Sequence, residues 1–316
     1  MKKITFLSVI ASAVCMISCQ SDENMFGDDL AKLEEQEVVY LNLDLEPVSI
    51  NRVNSTARIK ERLPYSLRLH SAEFVTAPGS AKMGKTVIFS DRGNKQLDFD
   101  FSPLVSLDGS SNISYYVDRM RPASTLPLLQ TEAAIESAAN MWENVKCSDL
   151  GLSRVANITD PIGIAASILG FPSAEVYIAD VNHSGWMPGL FFEFLEPGGS
   201  DFILGVTFTF LLQDEHGNLI DTNNDGKFDV ALREIYYNDN FDWNHGKDID
   251  VETVALHEMG HGLSQAHFGK AFIKKNGQIK FAPKAVMNAA YSGVQTQISG
   301  TDQGGHCSIW GNWPNK

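Results

Sequence analysis

The 316-residue sequence predicts an α+β protein. Residues 37–110 carry short runs of alternating apolar and polar residues broken by Pro, Gly and Asn, the mark of strands. From about residue 111 the pattern becomes strand, helix, strand, strand, hairpin, helix. The 43% apolar content is ordinary for a globular chain, and the length allows one large domain plus a smaller one.

At the N-terminus, MKKITFLSVIASAVCMISC sets Lys2 and Lys3 before an apolar run and small residues before Cys19, the layout of an export signal over residues 1–18. Met16-Ile17-Ser18-Cys19 resembles the lipobox of bacterial lipoproteins, which implies cleavage before Cys19 and its acylation. The alternative is a plain signal peptide with a chance cysteine. Residues 19–36 are polar and acidic, with too little apolar surface to fold alone, and read as a tether. A lipid anchor at Cys19 implies the outer membrane or cell surface, and the acidic SDEN after it resembles surface-export tethers. Losing Lys2 and Lys3 with the signal takes the formal charge from −14 to −16, which excludes nucleic-acid binding through a basic surface.

Three stretches within 37–110, EVVYLNLDLEPVSI, LPYSLRLHSAEFV and KTVIFS, read as strands. This β-rich region is either a pro-segment covering a site or an accessory layer. It contains no cysteine, so it offers no thiolate to a metal. In residues 111–316, NISYYVD is a strand. TEAAIESAANMWENVKC follows as a helix, with Thr131 as N-cap and Ile135, Ala138, Trp142 and Val145 forming one apolar stripe. LSRVANI and EVYIAD are the next strands, and FILGVTFTFLL and VALREIYYND are two strands joined by a polar turn. Setting aside Cys15 and Cys19 leaves Cys147 and Cys307, which form either a disulfide in an oxidising compartment or two buried thiols.

The stretch LHEMGHGLSQAHFG holds the chemistry. DIDVETVALHEMGHGL reads as a helix entered at Asp248 or Asp250, with Glu252 in its first turn, and ended near Gly262. His257 and His261 are four apart, so both rings leave one helix face and can grip one metal ion, with Glu258 beside the first ligand. His267 follows six residues after His261, and three imidazoles at about 2.0–2.1 Å would leave zinc a fourth, open position.

This spacing resembles the H-E-x-x-H-x-x-G-x-x-H motif of metzincin zinc endopeptidases, with Ser264 where the family carries glycine. Either Ser264 bears the turn, at a strain on the order of 1 kcal/mol, or Gly262 begins it early. Met287 in KAVMNAAYSG resembles the Met-turn beneath the ligands, and EIYYNDNFDW and GTDQGGHCSIWGNW are similar to matrixin segments, although Phe268 stands where typical matrixins carry serine. The resemblance covers most of residues 111–316. It implies a twisted mixed sheet of about five strands with an antiparallel edge strand, an active-site helix, a Met-turn and a C-terminal helix. It further implies a zinc endopeptidase with Glu258 as general base, binding a polypeptide substrate extended along the edge strand near residues 203–211.

In DTNNDGKFD, Asp221, Asn223, Asp225 and Asp229 fall at positions 1, 3, 5 and 9 of an EF-hand-like loop with Gly226 at the turn, but position 12 is Leu232, so the bidentate Glu is missing unless Glu234 or another loop substitutes. The loop is either a structural calcium site or a polar hairpin turn. His70, His183, His216, His245 and His306 have no partner pattern and read as ordinary side chains. The competing expectation is a non-catalytic surface lipoprotein that binds a protein or glycan on a zinc-stabilised scaffold. Its signature would be loss of Glu258 or a ligand, and neither is lost.

Overall fold

The computed structural model describes residues 38–41, 47–48, 51–53, 60–62, 65–89, 99–105, 109–274, 276 and 278–315. The export segment, Cys19 and the acidic tether lie outside the described residues. The architecture is α+β, organised by one nine-stranded sheet. Its strands are β1 (Val38–Tyr40), β2 (Ser66–Thr76), β3 (Thr86–Ile88), β4 (Phe99–Asp100), β5 (Ile113–Val117), β6 (Leu152–Arg154), β7 (Val181–Met187), β8 (Ile203–Gln213) and β9 (Phe228–Asn238). They lie side by side in the order β1-β3-β2-β8-β9-β7-β5-β6, with the short β4 paired to the start of β9.

β7 pairs in parallel with both β5 and β9, and β8 is antiparallel to β9. β8 is not the sheet edge that the sequence predicts. β2 lies antiparallel along its whole length, from Ile203 opposite Thr76 to Gln213 opposite Ser66. The composition agrees with an interior place: every residue of ILGVTFTFLLQ is buried, whereas an edge strand is normally blunted by charge or proline. The sheet therefore continues past the five strands of residues 111–238 into residues 66–88.

Alternation along these strands fills two apolar layers. Val206, Phe208 and Phe210 of β8 join Leu69 and Phe74 of β2 and Tyr236 of β9 on one face, with Phe191 and Phe192 packed over them. On the other face Leu204, Val230, Ile235 and Tyr237 meet three helices: α1 (Leu128–Glu143), α2 (Val251–Gly262) and α3 (Gly300–Trp310). Trp142 of α1 donates its Nε1–H to Leu256 O of α2 at 2.9 Å, and Trp310 of α3 donates to Leu263 O at 2.9 Å, so both large rings are buried without stranding a donor. A disulfide joins Cys147, beyond α1, to Cys307 of α3, with Cα atoms 5.7 Å apart.

Local structure departs from the sequence reading twice. The third sheet strand of the 111–238 region is Val181–Met187, just after EVYIAD, which contributes only the short Val176–Tyr177 pairing. Asn182, His183 and Ser184 are fully buried there and interrupt the apolar alternation that would have revealed the strand. Helix α1 starts before Thr131, at Leu128 after Pro127, and the Thr131 hydroxyl donates back to Pro127 O at 3.2 Å rather than capping. Among the described residues no helix is long and apolar enough to cross a membrane.

Candidate metal centre

Helix α2 has a capped start. Asp250 accepts the Thr253 N–H at 2.9 Å and the Thr253 hydroxyl at 2.6 Å, and Glu252 sits in the first turn, where a negative charge suits the helix dipole. The helix ends in a Schellman arrangement: the Ser264 N–H bonds His261 O and the Gln265 N–H bonds Gly260 O, both at 2.9 Å. Ser264 itself takes the left-handed conformation, φ +67°, while Gly262 stays helical. Arg233, buried in β9, holds that turn by donating from one guanidinium nitrogen to Gly262 O at 3.0 Å and Ser264 Oγ at 2.9 Å. These bonds offset a strain on the order of 1 kcal/mol.

The turn swings His267 back toward the helix. The Nε2 atoms of His257, His261 and His267 lie 3.0–3.1 Å from one another. All three rings are buried, and among the described residues they are the only group of three or more His, Cys, Asp or Glu placed to share one metal ion. Tetrahedral bonds of about 2.0–2.1 Å would set such nitrogens about 3.3 Å apart, close to what is found. Three lone pairs aimed at one dry point repel unless a cation sits between them, so this donor set fits a metal ion.

Two backbone carbonyls fix the ring tautomers. His257 Nδ1 donates to Val286 O and His261 Nδ1 to Gln265 O, each at 2.7 Å, which leaves Nε2 free to ligate. Nδ1 of His267 has no partner. Burial, followed by the neighbouring histidines, holds His257 and His267 well below the usual imidazole range and so keeps them neutral. Burial pushes His261 the same way, but Glu73, 3.2 Å from its Nδ1, outweighs that and raises it.

The supports of the centre lie beneath it. Met287 is fully buried against α2, and a Cβ on Gly260 would fall 2.3 Å from its Sδ, so only glycine leaves room. The N–H groups of Val286 and Met287 donate to Asp302 Oδ2 and Oδ1 at 3.1 and 3.2 Å. Asp302 is also the third residue of the Ser299 capping box that starts α3. Tyr291 is structural: its hydroxyl donates to Asp248 O at 2.6 Å and accepts the Asp250 N–H at 3.1 Å.

Glu258 is fully buried against the sheet. Its Oε2 accepts the Thr207 hydroxyl at 2.6 Å, whereas Oε1 closes no hydrogen bond. Gly205 of β8 allows this approach, because a Cβ there would lie 2.9 Å from Oε1. Burial pushes the Glu258 carboxyl up to about 7, against the pull of His261 and Thr207. A carboxyl poised near neutrality can both accept and return a proton. Beside the trio, Val75, Val254, His257, Val286 and Tyr291 line a cavity.

Glu73, Arg233, Thr207 and Asp302 carry no role in the sequence reading. Ser299-x-x-Asp302 is a capping signal that could have found Asp302. The other three meet the centre only through strand pairing. The remaining histidines stay apart from it: His183 bonds the Tyr237 hydroxyl at 2.7 Å, His306 stacks on Trp142, His70 meets the Phe99 ring edge-on, and His216 and His245 are exposed.

Asp221, Asn223, Asp225 and Asp229 fall in the turn between β8 and β9, with Gly226 at φ +87°. The turn is closed by its own bonds: Gly226 N–H to Asp221 Oδ2 at 3.0 Å, Lys227 N–H to Asp225 Oδ1 at 2.8 Å and Thr222 N–H to Asp229 Oδ2 at 3.0 Å. Oδ1 of Asp221 and of Asn223 has no partner. Glu234 does not substitute at position 12, because its oxygens accept the N–H groups of Ile164 and Ala165 at 2.7 and 2.8 Å. No protein-family model matches this chain, and no curated protein matches it in sequence.

Proposed function

We propose that the chain is a zinc-dependent endopeptidase of the metzincin group, hydrolysing peptide bonds of extracellular proteins while anchored through Cys19 at the outer membrane or cell surface. The observation that carries this reading is the convergence of three imidazole Nε2 atoms within 3.1 Å of one another beside a buried carboxylate on the same helix. His257, His261 and His267 would hold the ion. Bound there, zinc supplies Lewis acidity to a carbonyl and makes water acidic near neutral pH. Glu258 would act as the general base, accepting a proton from the attacking water and passing it to the departing amine. The Thr207 hydroxyl holds Oε2 at 2.6 Å, which would leave Oε1 as the oxygen that exchanges the proton.

The test is a chelator-sensitive assay on casein or gelatin with metal content measured on the same sample. Absence of stoichiometric zinc, or proteolysis indifferent to chelation, would contradict the reading. One observation favours the second reading, a non-catalytic surface lipoprotein on a zinc-stabilised scaffold: β2 already lies on the strand that would receive a substrate. Zinc at one per chain with no turnover on any peptide would select it. Calcium at the 221–229 turn is supported by the two unpartnered oxygens of Asp221 and Asn223, and is tested by a calcium-dependent rise in Tm that Asp221→Ala abolishes.

A further inference from the structure

The chain carries a formal charge of −14, yet residues 259–301 contain five lysines and no arginine, aspartate or glutamate. All five lysines fall in residues 270–284, between His267 and Met287. That segment folds back on itself as a two-stranded antiparallel hairpin, Lys270–Ile273 against Ile279–Ala282. It is pinned beside the metal centre at both ends. The Phe268 N–H donates to Met287 O at 3.0 Å, and the Asn288 side-chain amide donates to Phe268 O at 3.0 Å and to Pro283 O at 3.1 Å. Gly269 makes the turn into the hairpin in the left-handed region, φ +91°, where a Cβ would lie 2.7 Å from that amide nitrogen.

The two faces of the hairpin differ in kind. Ala271, Ile279 and Phe281 pack against Met83, Ala289 and Ala290, so one face belongs to the fold. Strand register sets the other: Lys270 stands opposite Ala282, and Phe272 opposite Lys280. Lys270, Lys274, Lys280 and Lys284 are exposed, and among the described residues none of the four has an ion-pair partner; Lys275 lies outside the described residues. Lysine commonly blunts a strand edge, but that purpose does not call for one sign of charge alone. Lys270 and Lys280 are diagonal neighbours on one face, where like charges repel and a bound anion would relieve them.

We propose that the lysine face of this hairpin, with Phe272 in its middle, is a docking surface for an acidic stretch of a polypeptide substrate. It rests on the endopeptidase reading for its consequence and on charge and register for its geometry. In an extended peptide, side chains on one face recur about every 7 Å, as they do along the hairpin, so Asp or Glu at alternate positions can meet successive lysines. Each exposed pair is weak and screened by salt, and recognition comes from several together. The partner is also short. All 39 acidic residues lie outside 259–301, so a long polyanion such as nucleic acid or a sulfated polysaccharide would run onto repelling surface, whereas a brief acidic segment stays on the hairpin.

The test uses the full chain carrying Glu258→Ala, so that nothing is cut, and two fluorescein-labelled peptides: Ala-Asp-Val-Glu-Ala-Asp-Val-Glu-Ala and its twin with Asn and Gln in place of the acids. The acidic peptide should bind at least about tenfold more tightly in about 50 mM salt, and the preference should shrink to about twofold in about 500 mM salt. Lys270→Gln, Lys274→Gln, Lys280→Gln and Lys284→Gln together should abolish the preference, with Tm and metal content as in the parent. Equal binding of the two peptides by the parent, or a preference that survives the four substitutions, overturns the proposal. So does a heparin oligosaccharide or single-stranded DNA that binds through these lysines more tightly than the acidic peptide. Proteolysis by the chain with Glu258 restored, without any acidic preference, removes this surface and leaves the endopeptidase reading. If the acidic peptide docks through the lysines while that restored, zinc-loaded chain cuts no polypeptide, the endopeptidase reading fails and the docking surface stands.

Discussion

Oδ1 of Asp302 accepts the backbone N–H of Met287 at 3.2 Å, tying the start of the last helix to the floor of the metal centre. Its other oxygen takes Val286, whose carbonyl in turn orients His257. Replacing Asp302 with Ala removes two buried acceptor contacts and the capping box together. We expect a loss of roughly 2–4 kcal/mol in stability and about 10–100-fold in zinc affinity, read by thermal melting and chelator competition. Unchanged zinc affinity would show that His257 is oriented without this support.

If the proposed endopeptidase reading holds, Glu258→Ala should keep zinc at one per chain while peptide hydrolysis falls by about 10²–10⁴-fold, the range for losing a general acid–base group. Residual chelator-sensitive turnover near the parent rate would remove Glu258 from the reaction.

Gly260→Ala places a methyl group 2.3 Å from Met287 Sδ. Neither α2 nor the Met287 turn can retreat without moving a ligand, so overpacking should cost about 1–3 kcal/mol and loosen zinc. Gly304→Ala in α3, where a Cβ meets nothing within 4 Å, is the matched control and should be neutral or stabilising.

Acid should destabilise the protein through His306. Burial lowers its pKa from 6.5 to about 4, and both ring nitrogens lack partners. As pH falls below about 6.5 the unfolded chain takes up this proton and the folded chain does not, so stability is lost down to about pH 4, by on the order of 3 kcal/mol. His306→Phe keeps the stack on Trp142 and should flatten that part of the pH dependence in urea titrations, with little change at pH 7. His183, lowered to about 3 by burial, shifts in the same direction and remains in the variant.

Replacing Cys147 and Cys307 together with Ala releases a loop of 160 residues. The expected loss is about 2–5 kcal/mol, seen as a lower urea midpoint. An unchanged midpoint would mean that Trp310 and its neighbours dock α3 without the link.

The histidine trio was legible because its geometry is local: four residues of helix and a six-residue turn bring the rings together, and Asp250 announces where the helix begins. The long strands at 203–213 and 228–238 were legible from largely apolar runs on either side of a polar turn. What was not legible is pairing between distant segments. Nothing in LPYSLRLHSAEFV says which strand it will lie beside, so the placement of Glu73 against His261 and of Val75 in the cavity had no signal. Arg233 reads as a charged residue within an apolar strand. Its value comes from Gly262 and Ser264, which the fold places above it and the sequence does not.

One consequence of the shared apolar layer concerns how such a chain could be divided. Leu69, Phe74 and Phe89 are packed with Phe208, Phe210 and Tyr236, so cutting the gene at residue 111 would leave a raw aromatic surface open to water and to other chains. A recombinant piece starting there should precipitate, and a chain nicked between the two parts should keep both fragments together.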